Sequence, residues 1–334
     1  MNKLVKWVIF IALVMFACYW MGNFASLGKF PTISLPAETV FSVAGLPVTS
    51  TLIATVIADI VLILFVLAAT RKIRSGSTEA EVPQGAQNIF ELIIDMLYGL
   101  CKSVAGSKAI KIFPLMATIF LFVLFANWME LLPGIESIGL IEPAHEGTGF
   151  KTVSIIPGFL YTVDQNQSKQ VEAGQSEAHP TESAGTCDTC VIVPFVRTAT
   201  SDINTTLALA LVTMTMVQVF GVRALGLNYF SKFINIPAVK KGGMGYMFFV
   251  VGFLELISEI ARILSFTFRL LGNIFAGGVL LLVMTSLIPF FLPMPFLGLE
   301  LFVGFIQALV FSMLALVFVN MAMASHDEHA EAHH

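Results

Sequence analysis

The stretch "SFTFRLLGNIFAGG", residues 265–278, sets Arg269 in an apolar run with no acidic residue within eight positions on either side. A charged side chain at the centre of a bilayer helix costs about 3 kcal/mol on insertion scales. A sequence that keeps one there has a use or a partner for it. The surroundings settle that this is a membrane segment. Residues 246–325 are almost continuously apolar, interrupted mainly by "LIPFFLPMPF" at 287–296. The whole chain of 334 residues is 57% hydrophobic and only 12% charged, about half the charge of a typical soluble domain. With several apolar runs of membrane length, that composition predicts an all-α polytopic membrane protein with about five to six membrane helices. A net charge of −4 offers no basic footprint for nucleic acid.

Working outward, the N-terminal end is ambiguous. Residues 7–22, "WVIFIALVMFACYWMG", follow Lys3 and Lys6. A signal peptide and an uncleaved first helix both fit, although Asn23 and Ala25 make a poor small-x-small cleavage site. A lipoprotein signal at Cys18 fits less well, because Met15 and Phe16 precede it. Residues 1–25 are thus set apart from the rest. The next apolar run, about 49–70, ends at "RKIRS". Within "VPQGAQNIFELIIDMLYGL", 82–100, Ile89, Leu92, Ile93, Met96 and Leu97 recur at helical spacing, with Glu91 and Asp95 on the other side. That pattern predicts a helix lying at the membrane surface. The run 112–132 crosses back and ends at "NWMELLPG", where Trp128 suits the interface and Pro133-Gly134 stops the helix. Residues 26–133 therefore read as two core helices joined by a surface helix.

Residues 134–200 are polar, with few predicted elements and an excess of acids over Lys151, Lys169 and Arg197. Arg71, Lys72, Arg74, Lys102, Lys108, Lys111, Arg223, Lys232, Lys240 and Lys241 mark the opposite face as cytoplasmic. The expected location is a bacterial inner membrane, with 134–200 extracytoplasmic and the polar tail 326–334 cytoplasmic. Cys187 and Cys190 form "CDTC" in the insert. An oxidising face makes a disulfide one reading and free thiols another; the metal reading lacks a second ligand pair. The tail's His326, His329, His333 and His334 read as a solvated end rather than a metal site.

The charged residues of 246–325, before the tail, are Glu255, Glu259, Arg262, Arg269 and Glu300. On one helix turning about 100° per residue, Arg262 lies ~20° behind Glu255, Arg269 ~40° behind it, and Glu259 ~40° ahead, with Asn273 directly in line. These five groups share a face about 80° wide. From 255 to 273 the rise is ~27 Å, close to the hydrocarbon thickness. Glu259 and Arg262 are spaced to pair locally, and Arg262 is also spaced to reach Glu255. Nothing on the same helix neutralises Arg269, so its partner belongs to another helix or another chain. Glu300 and Gln307 share a face of the following helix, with Gly304 between them, a pattern suited to a narrow aqueous path or to a hydrogen-bonded packing contact. Burial disfavours a carboxyl's charged form and so favours proton exchange near neutrality. "SDINTTLALA" opens a further helix at 201. Asp202 there is an N-cap by periodicity, or, with Asn204, the mouth of an entry path.

These residues resemble a family. "SFTFRLLGNIFAGG" is similar to the signature of the a subunit of F-type ATP synthases, the stator channel subunit, an Arg-Leu-x-Gly-Asn sequence in a long tilted helix. Gln307 in "FIQALVFSML", Glu255 and Ser258 upstream, "SDINTTLALAL", "NWMELLPG", "VPQGAQNIFE" and "MASHDEH" fall in the family's order. The resemblance covers about 38–328 apart from the insert. Two departures stand out. Gly278 occupies the place, nine residues after the arginine, where the family often has an acid or histidine. Glu300, seven before Gln307, stands at the family's alternative place for that acid.

The resemblance implies two long tilted helices facing a rotor, with 201–325 as the ion-conducting part. It implies a ring of c subunits whose carboxylates meet Arg269, b-type peripheral stalk subunits, and the rest of the ATP synthase as partners, in contact with membrane lipid. It implies an outer half-channel of Asp202, Asn204, Glu300 and Gln307, and an inner one of Glu255 and Ser258 with Glu259. Asn273, one turn from Arg269, would help position it. No cofactor and no catalytic centre of its own are expected. A secondary transporter is the alternative, but it should show internal repeats and paired broken helices, and no repeat is found. A membrane enzyme would need a metal cluster or a nucleophile–base set.

Overall fold

The computed structural model describes residues 39–43, 46–74, 85–132, 139–143, 147–156, 160–171, 190–226, 229, 243–287 and 291–324. The readings of residues 1–25, of Cys187 and of the histidine tail lie outside them. Among the described residues, a hairpin of β1 (Thr39–Val43) and β2 (Leu46–Thr49) precedes α1 (Ser50–Arg74). Helices α2 (Ala86–Ala105) and α3 (Ala109–Glu130) follow, joined by a short 3-10 turn at Gly106–Lys108. Strands β3 (Gly139–Pro143), β4 (Gly147–Ile156), β5 (Leu160–Val171) and β6 (Cys190–Pro194) come next, then α4 (Ile203–Leu225), α5 (Gly243–Leu287) and α6 (Pro293–Ala322).

Among the described residues, five stretches of helix are long and apolar enough to cross a membrane: 50–71, 87–130, 203–225, 250–285 and 293–322. The chain is a polytopic helical membrane protein, as its composition predicts. Its helices show apolar side chains outward, as a lipid solvent requires. On α1, Leu52, Val56, Ile60, Ile63, Leu64 and Leu67 are exposed, whereas Ala54, Ala58 and Ala69 are buried. Small residues inward and large ones outward is the membrane pattern, because close backbone approach replaces the hydrophobic effect between helices. At 45 residues, α5 is ~68 Å long, over twice the hydrocarbon thickness of ~30 Å. A helix of that length crosses a bilayer tilted or reaches beyond it.

The described residues form two compact units. One contains 130–198 and 274–302 together with the first part of the chain to 54; the other contains 55–129, 199–273 and 303–334. The second holds the helical core, with Leu97, Ile112, Met116, Phe120, Leu124, Phe266, Leu270, Phe311 and Leu316 all fully buried. Along α6, Ala308, Phe311, Ala315, Val319 and Ala322 recur every three or four residues and are buried. Phe266 packs edge-on against Phe311 at 4.5 Å and Phe318 at 5.8 Å.

In the first unit the segment 134–200 departs from expectation. It forms a four-stranded antiparallel sheet ordered β3-β6-β4-β5. The strands were hidden in the sequence because they lack a clean apolar alternation. The β4–β5 register instead sets Lys151 opposite Asp164, and polar residues fill both strands. The apolar face read within 82–100 forms part of helix α2 and is divided: Leu97 is buried and Ile93 packs on the core, while Ile89, Leu92 and Met96 are exposed.

Candidate functional site

Helix α4 begins where a cap was expected. Asp202 has an extended backbone and its carboxylate accepts from the Asn204 N–H at 3.0 Å. Thr206 Oγ1 donates back to the Asp202 carbonyl at 3.2 Å. Asp202 is buried and Asn204 is exposed. The helix closes at Gly226, whose positive φ of 66° glycine adopts at no steric cost.

On α5, Arg262 gathers the acids. Its Nη1 donates to Glu259 Oε1 at 2.7 Å and its Nη2 lies 3.9 Å from Glu255 Oε1. Glu259 is almost buried and Glu255 half-buried. The local pairing legible in the spacing is therefore present. The Arg262 guanidinium also stacks over Phe318 at 4.9 Å. Ser258 is exposed. Tyr229, which the sequence reading passed over, is buried in the same unit and donates to Gln218 Oε1 at 2.5 Å. Burial, then the charge of Glu259, push its phenol up from 10 to about 12, against Arg262.

Two turns along, Arg269 differs. Among the described residues it has no ion pair, and its Nη1 is buried without a hydrogen-bond partner. The guanidinium sits 5.6 Å from the Phe266 ring. The Asn273 Nδ2 is likewise buried and unpaired among the described residues. Gln307 donates from Nε2 to the Arg269 backbone carbonyl at 3.0 Å, tying α6 to α5 at that turn. Beside Arg269 runs an exposed stripe of Ser258, Ala261, Ser265, Phe268 and Gly272, mostly small and spaced three or four apart. A methyl group on Gly272 would meet nothing within 4 Å.

The gap read at Gly304 is filled. A methyl there would lie 3.3 Å from Asn127 Cβ and 3.6 Å from Trp128 Cδ1, and Asn127 Nδ2 donates to the Gly304 carbonyl at 3.3 Å. Of the two readings of that stripe, Gly304 itself follows the packing one. Thr200 Oγ1 in turn donates to Asn127 Oδ1 at 3.4 Å. Asn127 was quoted in the sequence only as part of a helix end; its burial is what marks it. Glu300, on α6 in the other unit, is 7% exposed and pressed against Gly277.

Residues 49–320 match the family model described as ATP synthase A chain. The chain belongs to the ATP synthase A chain family. Curated relatives agree across most of their length. ATP synthase subunit a of Moorella thermoacetica is 26% identical over 291 residues, 87% of this chain and 98% of the relative. That of Gloeobacter violaceus is 30% identical over 280 residues, 84% of this chain and 85% of the relative. ATP synthase subunit a 1 of Syntrophotalea carbinolica is 29% identical over 244 residues, 73% of this chain and 75% of the relative. The matched range of the family model takes in the Arg262 cluster, Arg269, Glu300 and Gln307.

Proposed function

We propose that this chain is the proton-translocating stator subunit of an F-type ATP synthase in a bacterial inner membrane, with Arg269 as its central charge. The observation that carries this reading is the Arg269 guanidinium: it is intramembrane by sequence, has no ion pair among the described residues, and stands beside a stripe of small exposed residues. A helix lined with small side chains admits the close approach of another helix. The partner is a carboxylate carried past on a ring of c subunits, held in register by b-type stalk subunits.

The electrostatics then produce the coupling. Opposite Arg269, a ring carboxylate is favoured in its charged form. In lipid, away from the guanidinium, the charged form is too costly and the group travels protonated. Protons reach the ring by the outer half-channel, assigned to Asp202, Asn204, Glu300 and Gln307. They leave by the inner one, assigned to Glu255, Ser258 and Glu259, with Asn273 steadying the arginine. Arg269 repels a proton that would cross directly. Each 100 mV is worth about 2.3 kcal/mol per charge, which the rotor passes to the ATP-forming head.

The ring partner is tested by cysteine cross-linking. Gly272→Cys and Ser265→Cys in the intact complex should form disulfides with cysteines placed beside the ring carboxylate. Cross-links to no small hairpin subunit at either position contradict the reading.

A further inference from the structure

Asp59 is the only charged residue between Ser50 and Thr70. The stretch 50–71 is long and apolar enough to cross a membrane. At ~1.5 Å per residue, Asp59 lies ~14 Å from its Ser50 end and ~18 Å from its Arg71 end, near the middle of a ~30 Å hydrocarbon layer. The residue is exposed, and among the described residues it has no hydrogen bond or ion pair. At ~100° per residue, Ala54, Ala58, Phe65 and Ala69 lie ~80–140° to one side of Asp59. That side is the packed one. The three alanines are buried, and the Phe65 ring meets Phe90 of α2 and Phe125 of α3. Leu52, Val56, Ile63 and Leu67 lie within ~80° on the other side, and all four are exposed. Asp59 thus belongs to the outward, apolar face. A lysine at this depth could snorkel to the interface on its long stem; the short side chain of an aspartate cannot cover ~14 Å. Intramembrane acids face a bundle interior and pair there, so an outward one is interior to something larger than this chain. The apolar run 7–22 contains no charged side chain, and Lys3 and Lys6 precede it, so the chain's own N-terminal run offers no cation at that depth. A ring of carboxylate-bearing subunits is a poor occupant, because like charges disfavour each other's ionised form.

We propose that the Asp59 face of α1 is the docking face for the membrane helix of a stalk subunit, a helix that carries a lysine or arginine at mid-membrane depth to pair with Asp59. Apolar side chains of that helix pack on Leu52, Val56, Ile63 and Leu67 around the ion pair. The pair fixes register: sliding or turning the incoming helix by one residue leaves two unpaired charges in hydrocarbon. A stator that must hold still against a turning ring gains from such a fixed contact. The proposal rests on the function given above only in taking this chain as one subunit of a larger membrane complex, and it adds the chemistry by which one partner is recognised.

The test uses the intact complex in its native membrane, with the photoreactive residue p-benzoylphenylalanine in place of Ile63, one turn from Asp59. Illumination should join this chain to one other subunit. Mass spectrometry of the adduct should place it on a membrane helix with a lysine or arginine inside its apolar run. Adducts confined to lipid, to ring subunits, to residues 1–38 of this chain or to a helix without such a cation overturn the proposal. Asp59→Asn keeps the shape and removes the charge. Co-purification of the cross-linked subunit should then fall roughly tenfold or more, as for a cation left without its buried partner, whereas Asp59→Glu, which keeps the charge, should retain most of it. Undiminished co-purification with Asp59→Asn overturns the ion pair. If Asp59→Asn does not assemble, the adduct, formed with Asp59 in place, still decides. Arg269→Ala, assayed alongside for ATP synthesis, separates the two claims: normal synthesis there fails the stator reading, whereas a missing adduct beside a dead Arg269→Ala fails only the docking face.

Discussion

Glu300 sits pressed against Gly277, nearly out of solvent, two turns along α6 from Gln307. If it carries protons, Glu300→Gln will keep the packing and lose the exchange. ATP-driven proton pumping should then slow by roughly 10²-fold, the lower end of the scale for a lost acid–base group. Unchanged pumping removes Glu300 from the path. Tyr229 makes a separate prediction at this scale. Its phenol titrates at 10 when unperturbed and at about 12 in the folded protein. The folded state therefore holds this proton to higher pH than the unfolded chain. The stability this contributes is whole below pH 10 and drains away as pH rises towards about 12. Thermal midpoints of the complex should fall with pH across that window, and fall less in Tyr229→Phe. Equal slopes contradict the assignment.

Among the elements, α5 and α6 are joined by aromatic packing and by the Gln307–Arg269 hydrogen bond. Phe266→Ala removes the ring that meets Phe311 and Phe318 and underlies Arg269. A loss of about 3–5 kcal/mol is expected, the usual cost of such a truncation, read as lowered recovery of assembled complex and a lower unfolding midpoint. Gly221 gives a second test. A methyl there would lie 2.5–2.9 Å from ring atoms of Tyr229, so Gly221→Ala should displace the ring and cost about 1–3 kcal/mol. A midpoint equal to that of the native protein would mean the ring yields freely. The charged stripe of α5 was legible in the sequence because a helix turns about 100° per residue whatever surrounds it, and Glu259–Arg262 pairs as that spacing implies. The roles of Gly221, Gly277 and Gly304 were not legible. Each is needed by a side chain distant in sequence, and no local pattern reports that. The strands of 134–200 escaped for a related reason: pairing between Lys151 and Asp164 is a property of register, not of composition.

At the scale of the molecule, lipid is the solvent for most of the surface, and the outward leucines and valines of α1 follow from composition alone. What composition could not supply is why the interior keeps charges. Arg262 has its acids at home, bound on its own helix. Arg269 has none among the described residues, and the sequence could say only that the partner lies elsewhere. On the proposed function, that difference between two arginines seven residues apart would separate a locally paired charge from one that meets a partner outside the chain. The measurement that tests it most directly is proton-driven ATP synthesis by membranes carrying Arg269→Ala, with assembly of the complex checked in the same preparation. The account predicts no synthesis from a fully assembled complex. Synthesis at the native rate would contradict it.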